Sequence, residues 1–200
     1  MLKTPREGSA LESFSDHAAQ QVLKFHRQLP SYQPTDLVQL SQLAKSWGVK
    51  DILVKDESMR LGLGAFKVLG GSYAVARLLC QKLNLDTDSI DYNYLLSDEV
   101  KQRLGSLTLT TATDGNHGRA IAWAVEQLGQ QAIIYMPKGS MSSRVEAIHS
   151  HGAHVEVTDL NYDDTVRLAR RIAKKMAGIS FRIPPGRVIL KYRVGSCRAI

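Results

Sequence analysis

At 200 residues, 44% hydrophobic and 22% charged, the chain has an ordinary globular composition and is long enough for one large domain or two small ones, which argues against general disorder. No apolar run approaches bilayer length, and the N-terminus "MLKTPREGSALESFSD" lacks the apolar centre of a signal peptide and is too acidic for a transit peptide. A cytoplasmic protein with no membrane partner is expected. The net charge of +7 is uneven: ten of the 26 basic residues lie from Thr165 onward with no acid, so the first 164 residues carry 16 basic and 19 acidic residues and are net −3.

In chain order, "SDHAAQQVLKFHRQL" has helical periodicity and stops at Pro30. "YQPTDL" reads as extended, because the residue before a proline avoids helical angles. A helix is predicted from about Leu37 to Trp47, ended by Gly48, and "DILVKDE" follows as a strand. "FKVLGGSYAVARLLCQKL" places Val68, Tyr73, Val75, Ala76 and Leu79 at helical spacing. The polar stretch Asn84 to Gly105 reads as an insertion with its own short helix.

From Leu107 the pattern is most regular. "LTLTTAT", "QAIIYMP" and "HVEVTD" read as strands. "NHGRAIAWAVEQLG", a capped "SSRVEAIHSHG" and "YDDTVRLARRIAKKMAG" read as helices, the last with Asp163 and Asp164 capping its start. Strands alternating with helices imply right-handed crossovers and a doubly wound, mostly parallel α/β sheet, with any ligand at the carboxyl ends of the strands. Trp47 and Trp123 read as core. After Gly178 the rhythm breaks: "ISFRIPPGRVILKYRVGSCRAI" has paired prolines and no acid. A basic, nucleic-acid-binding tail is one reading; a shifted reading frame or a truncation accounts better for so abrupt a change.

Two stretches carry candidate chemistry. In "DESMRLGLGAFKVLGG", Lys67 stands among glycines and apolar residues. There, loss of water would favour the free amine, a nucleophile toward carbonyls, although a lysine on the solvent side of a helix start fits the same pattern. In "TTATDGNHGRAIAWA" a strand ends in small hydroxylated residues. Gly115 permits a sharp turn, and a helix opens near Asn116 with free N–H groups suited to an anion. Asp114 could cap that helix or act as a base. The isolated Cys80 and Cys197 suggest neither a disulfide framework nor a metal pair, and the His149, His151 and His154 cluster is split by Gly152, so no metal site is expected.

These stretches, with "AIIYMPKGS" and "VTDLNYDDTVRLA", resemble the diaminopropionate ammonia-lyases over roughly Gln33 to Ala177. Those are fold-type II pyridoxal phosphate enzymes of the threonine dehydratase and tryptophan synthase β-subunit group. The Asp of "TDGNHG" marks that family within the group. The resemblance implies that Lys67 is the covalent anchor of pyridoxal 5'-phosphate and one catalytic base. Asp114 is then the second base on the opposite face. Asn116 binds the cofactor's phenolic oxygen in a turn shared with Gly115 and His117, and nearby loop amides grip the substrate carboxylate. It implies α,β-elimination of D- and L-2,3-diaminopropionate, a small amino acid substrate, to pyruvate and two ammonia by a homodimeric parent without nucleic acid.

The family continues for about as many residues again, through a glycine-rich phosphate cup and the group facing the pyridine nitrogen. The expectation is therefore an N-terminal fragment: residues 1–66 from the larger domain, whose C-terminal half is missing, 67–178 as a smaller α/β domain, and 179–200 as an aberrant tail. On this reading the chain itself is an uncertain catalyst. The rivals are a threonine or serine dehydratase, or a non-catalytic basic binding fragment.

Overall fold

The computed structural model describes residues 15–177 and 190–193. Helix α1 (Asp16–His26) is opened by Ser15, whose hydroxyl accepts from the Ala18 N–H. Strands β1 (Leu37–Gln39) and β2 (Leu53–Lys55) pair antiparallel as a two-stranded ribbon around α2 (Ser41–Trp47), which Gly48 ends in the left-handed conformation. The helix predicted from Leu37 therefore starts four residues later. Val38 is β-branched, and pairing of Leu37–Gln39 with Leu53–Lys55 outweighs the helical spacing. Every residue of the ribbon is exposed, and Trp47, expected in the core, is 68% exposed.

After a 3₁₀ turn at Arg60–Gly62, α3 (Lys67–Leu83) forms the longest helix of the core. The polar stretch that follows carries two short helices, α4 (Tyr92–Leu95) and α5 (Asp98–Leu104). Where one short helix was expected there are two, and Ile90, Tyr92, Leu95, Val100 and Leu104 join the same core as α3. Each buried side chain of this size contributes about 2 kcal/mol, so a few apolar residues outweigh many polar neighbours in placing a segment.

The sheet is built from β3 (Leu107–Ala112), β4 (Gln131–Met136), β5 (His154–Val157) and β6 (Leu190–Arg193), in the order β5-β4-β3-β6. The first three run parallel and β6 lies antiparallel against β3. Helices α6 (Asn116–Gln127) and α7 (Ser142–His149) connect the parallel strands and, with α3, cover one face. Helix α8 (Tyr162–Ala177) covers the other through Ala169, packed near Ala112 and Tyr135. All six β3 residues are buried, as a central strand between two helical layers requires. Strand order reverses about β3, so its carboxyl end is a topological switch point, where open α/β sheets place ligands.

Three smaller expectations are corrected. Helix α7 has Met141 at its N-cap and no side-chain cap. At α8 the cap is Asn161, whose Oδ1 accepts from the Asp164 N–H, while Asp163 and Asp164 contribute favourable charge in the first turn. Residues 190–193, expected to continue no pattern, form β6; the rest of the predicted tail lies outside the described residues.

Candidate active site

Helices α3 and α6 cross at close range. A Cβ added at Gly71 would stand 3.3 Å from the Ala120 Cβ, so the glycine lets the two backbones approach. Lys67 lies one turn before Gly71, and Asn116 one turn before Ala120, at the helix starts. The two turns consequently share one small cleft, lined by Leu63, Ala65, Val68, Asn116, Arg119 and Ala120. Arg119 bolts them together, its Nη1 donating to the Leu63 carbonyl at 3.1 Å, while its buried Nε has no hydrogen-bond partner.

Lys67 is half-buried, and its Nζ stands 5.2 Å from the centre of the exposed Phe66 ring. Around it the run of glycines and apolar residues packs Leu63, Val68 and Gly71 inward and leaves Phe66 exposed, so the lysine is enclosed on one side only.

The asparagine turn is organised by a residue the sequence reading passed over. Thr113 is buried, and its Oγ1 accepts from the N–H groups of both Gly115 and Gly118, each at 3.1 Å. Asp114 therefore does not cap α6; the N-cap position is Gly115, without a side-chain bond. Asp114 is exposed at the lip of the turn, and its carbonyl accepts from Arg144 Nη1 at 2.9 Å. The Gly115 amide points inward to Thr113, which removes it from the loop amides available to a carboxylate. Asn116 is exposed toward the cleft and His117 half-buried beside it. The signal for Thr113 was its position two residues before a glycine that opens a helix, where a hydroxyl can bond the turn.

Upstream of the lysine turn, Glu57 and the buried Arg60 form a fork. Arg60 Nε donates to one Glu57 oxygen at 2.7 Å and Nη2 to the other at 2.9 Å, with Nη1 on the Gln33 carbonyl. This bonding to Arg60 brings the Glu57 carboxyl down to about 2. Arg60 also lies 5.3 Å from the centre of the Tyr32 ring. The three histidines do not converge: His151 pairs with Glu126 at 3.0 Å, and no group of three or more His, Cys, Asp or Glu among the described residues could hold a metal ion.

A doubly wound sheet with a lysine-bearing helix start against an asparagine turn at the switch point defines a class, and comparison with known proteins agrees with it. Residues 29–187 match the profile of the pyridoxal-phosphate dependent enzymes, and the chain belongs to that family. Within it, the chain is 50% identical over 167 residues to the diaminopropionate ammonia-lyase of Salmonella typhimurium, covering 84% of this chain and 41% of that protein. The crystal structure of Escherichia coli diaminopropionate ammonia-lyase in apo form superposes with a TM-score of 0.76 at 51% identity, covering 86% of this chain and 45% of the other. The same enzyme in complex with D-serine gives a TM-score of 0.76, covering 84% and 42%. The chain thus spans less than half the length of these relatives.

The residues of the cleft suit pyridoxal phosphate. Within the cleft Asn116 offers an amide for a ring oxygen and Arg119 an unpartnered buried N–H, while Lys67, on the adjoining first turn of α3 and outside the lining, offers a primary amine for the cofactor's aldehyde. On the resemblance, the glycine-rich phosphate cup belongs to the part of the family's length that this chain does not span.

Proposed function

We propose that the whole protein is a pyridoxal phosphate-dependent carbon–nitrogen lyase that eliminates ammonia from D- and L-2,3-diaminopropionate, and that this chain carries its anchoring lysine and both bases. The observation that carries the reading is the shared cleft of the Lys67 and Asn116 turns. The 50% identity to a diaminopropionate ammonia-lyase supports the substrate.

In this reading Lys67 is the covalent anchor and, once freed, takes the Cα proton from one face. The Asp114 carboxylate takes it from the other, which is why both enantiomers react. The bound cofactor supplies the electron sink for the carbanion at Cα. The Asn116 amide fixes the ring through its phenolic oxygen, with Gly115 and His117 shaping the same turn. Thr113 holds the turn's backbone, so the base on Asp114 and the amide of Asn116 are offered from a set geometry. Elimination moves the Cα proton to a base and breaks the Cβ–N bond; hydrolysis completes pyruvate and two ammonia.

A homodimeric parent in the cytoplasm belongs to the same reading. It rests on the family resemblance and on the buried free thiol of Cys80. The domain division at 66/67 is retained as a proposal, although Phe25 and Leu29 share one core with α3 and α6.

The test has two arms. Borohydride reduction of the full-length protein with pyridoxal phosphate, followed by peptide mass mapping, should place the pyridoxyl group on Lys67. The full-length protein should release pyruvate and ammonia from D- and L-diaminopropionate and far less from threonine. Labelling spread evenly over surface lysines, or a preference for threonine, would overturn the proposal.

A further inference from the structure

Helix α3 begins without the usual means of holding a first turn. Its N-cap position is Phe66, which makes no side-chain cap bond. Two residues after Leu69 are Gly70 and Gly71, each costing about 1 kcal/mol of helix propensity relative to alanine. A turn so placed frays unless something outside it supplies a restraint. Yet this turn carries Lys67, whose amine needs a set position to anchor a cofactor.

The restraint comes from the last residue of α1. His26 is 5% exposed, and its Nε2 lies 2.8 Å from the Leu69 carbonyl oxygen. A carbonyl only accepts, so Nε2 carries the proton and donates. The imidazole itself is fixed on several sides. It stacks on Tyr32 with ring centres 6.1 Å apart, meets the Tyr73 edge at 6.3 Å, and neighbours Phe25 at 5.6 Å. The same Leu69 carbonyl also accepts from Ser72 Oγ at 3.1 Å, within α3. One carbonyl of the first turn is therefore held from inside the helix by Ser72 and from a neighbouring helix, 43 residues away in sequence, by His26.

We propose that His26 is a positioning residue for Lys67, fixing through the Leu69 carbonyl the first turn of α3 from which the lysine side chain projects. The proposal rests on the reading of Lys67 as the cofactor anchor. It assigns no chemical step to His26, which touches neither Lys67 nor the cleft residues in any bond described above.

The experiment uses the full-length protein, pyridoxal phosphate at subsaturating concentration, borohydride reduction and peptide mass mapping, with each variant held well below its own unfolding midpoint. Exposed Lys101 serves as the internal reference. His26→Leu removes the donor and should lower the ratio of Lys67 to Lys101 labelling by about tenfold, within the range for residues that orient another group. His26→Gln returns an amide N–H near the position of Nε2 and should recover most of the ratio.

If His26→Leu does not fold, His26→Asn takes its place, since its amide sits near Nδ1 and falls short of Leu69. Labelling kept in Gln and lost in Asn supports the proposal. An unchanged ratio in His26→Leu, or equal ratios in Gln and Asn, would overturn it while leaving the anchor role intact. Wild-type protein without selective labelling of Lys67 would overturn the anchor role and this proposal together.

Discussion

A Cβ at Gly118 would fall 2.2 Å from the Thr113 Cγ2, a distance no real pair of carbons adopts. The two residues are also joined by the Gly118 N–H donating to Thr113 Oγ1. Strand β3 and helix α6 meet at this contact, and the candidate base Asp114 and the candidate cofactor-binding Asn116 lie in the four residues between its ends. Ile134 Cγ2 and Ile148 Cδ1 close the site from behind at 3.0 and 3.2 Å, so the crowding has no exit.

Gly118→Ala should therefore destabilise the fold by about 3 kcal/mol, in the range of core overpacking. Thr113→Val keeps the shape but strands two buried N–H donors, and should cost about 2 to 3 kcal/mol; Thr113→Ser should cost clearly less. Urea unfolding of the three variants checks the order. A fully stable Gly118→Ala would mean that α6 shifts away from β3.

Replacing Lys67 by alanine should abolish the visible absorbance that a lysine-bound pyridoxal phosphate gives in the full-length protein. It should leave thermal stability within about 1 kcal/mol, because a half-buried side chain at a helix start contributes little. Persistence of the band would move the anchor to another lysine.

Asp114→Asn removes a base while preserving the Asp114 carbonyl that Arg144 holds. In the full-length protein, turnover of one enantiomer of diaminopropionate should fall by about 10²- to 10⁴-fold, the usual worth of a general base, and the other by much less. Equal losses would refute two bases on opposite faces.

The Glu57–Arg60 fork predicts a specific acid sensitivity. With its carboxyl lowered to about 2 from 4.5, Glu57 contributes stability that is fully present above pH 4.5 and is lost as pH falls through about 2. Glu57→Gln should lower stability at pH 7 and flatten its dependence between pH 4.5 and 2. The cost should be about 2 kcal/mol, since Arg60 is left buried without its carboxylate. Chemical denaturation at pH 7, 4.5 and 3 measures both effects.

Much of the fold was legible because its signals are local. The alternation from Leu107 to Ala177 predicted β3-α6-β4-α7-β5-α8 in order, since each element repeats its own apolar period and ends at a glycine or polar turn. "GAFKVLGG" and "TDGNHG" were visible as turns against helix starts for the same reason. Where a partner distant in sequence decided the outcome, the local reading failed. Leu37 and Val38 became a strand because Leu53 and Val54 lie opposite them. Trp47 lies exposed, and the polar run from Asn84 was drawn into the core by five buried side chains.

What the sequence by itself determined was the order of the α/β elements and the residue types on which the proposed lyase chemistry rests: an amine at Lys67, a carboxylate at Asp114, an amide at Asn116. Only the tertiary structure decided how they are held. It brought the starts of α3 and α6 into one cleft through Gly71 and Ala120, gave the turn to Thr113 instead of Asp114, and placed His26 of α1 against the first turn of the lysine helix. The physical reason is that periodicity and turn chemistry act over a few residues of chain. Close approach of backbones and buried hydrogen bonds between helices are set by packing, which no local stretch of sequence specifies.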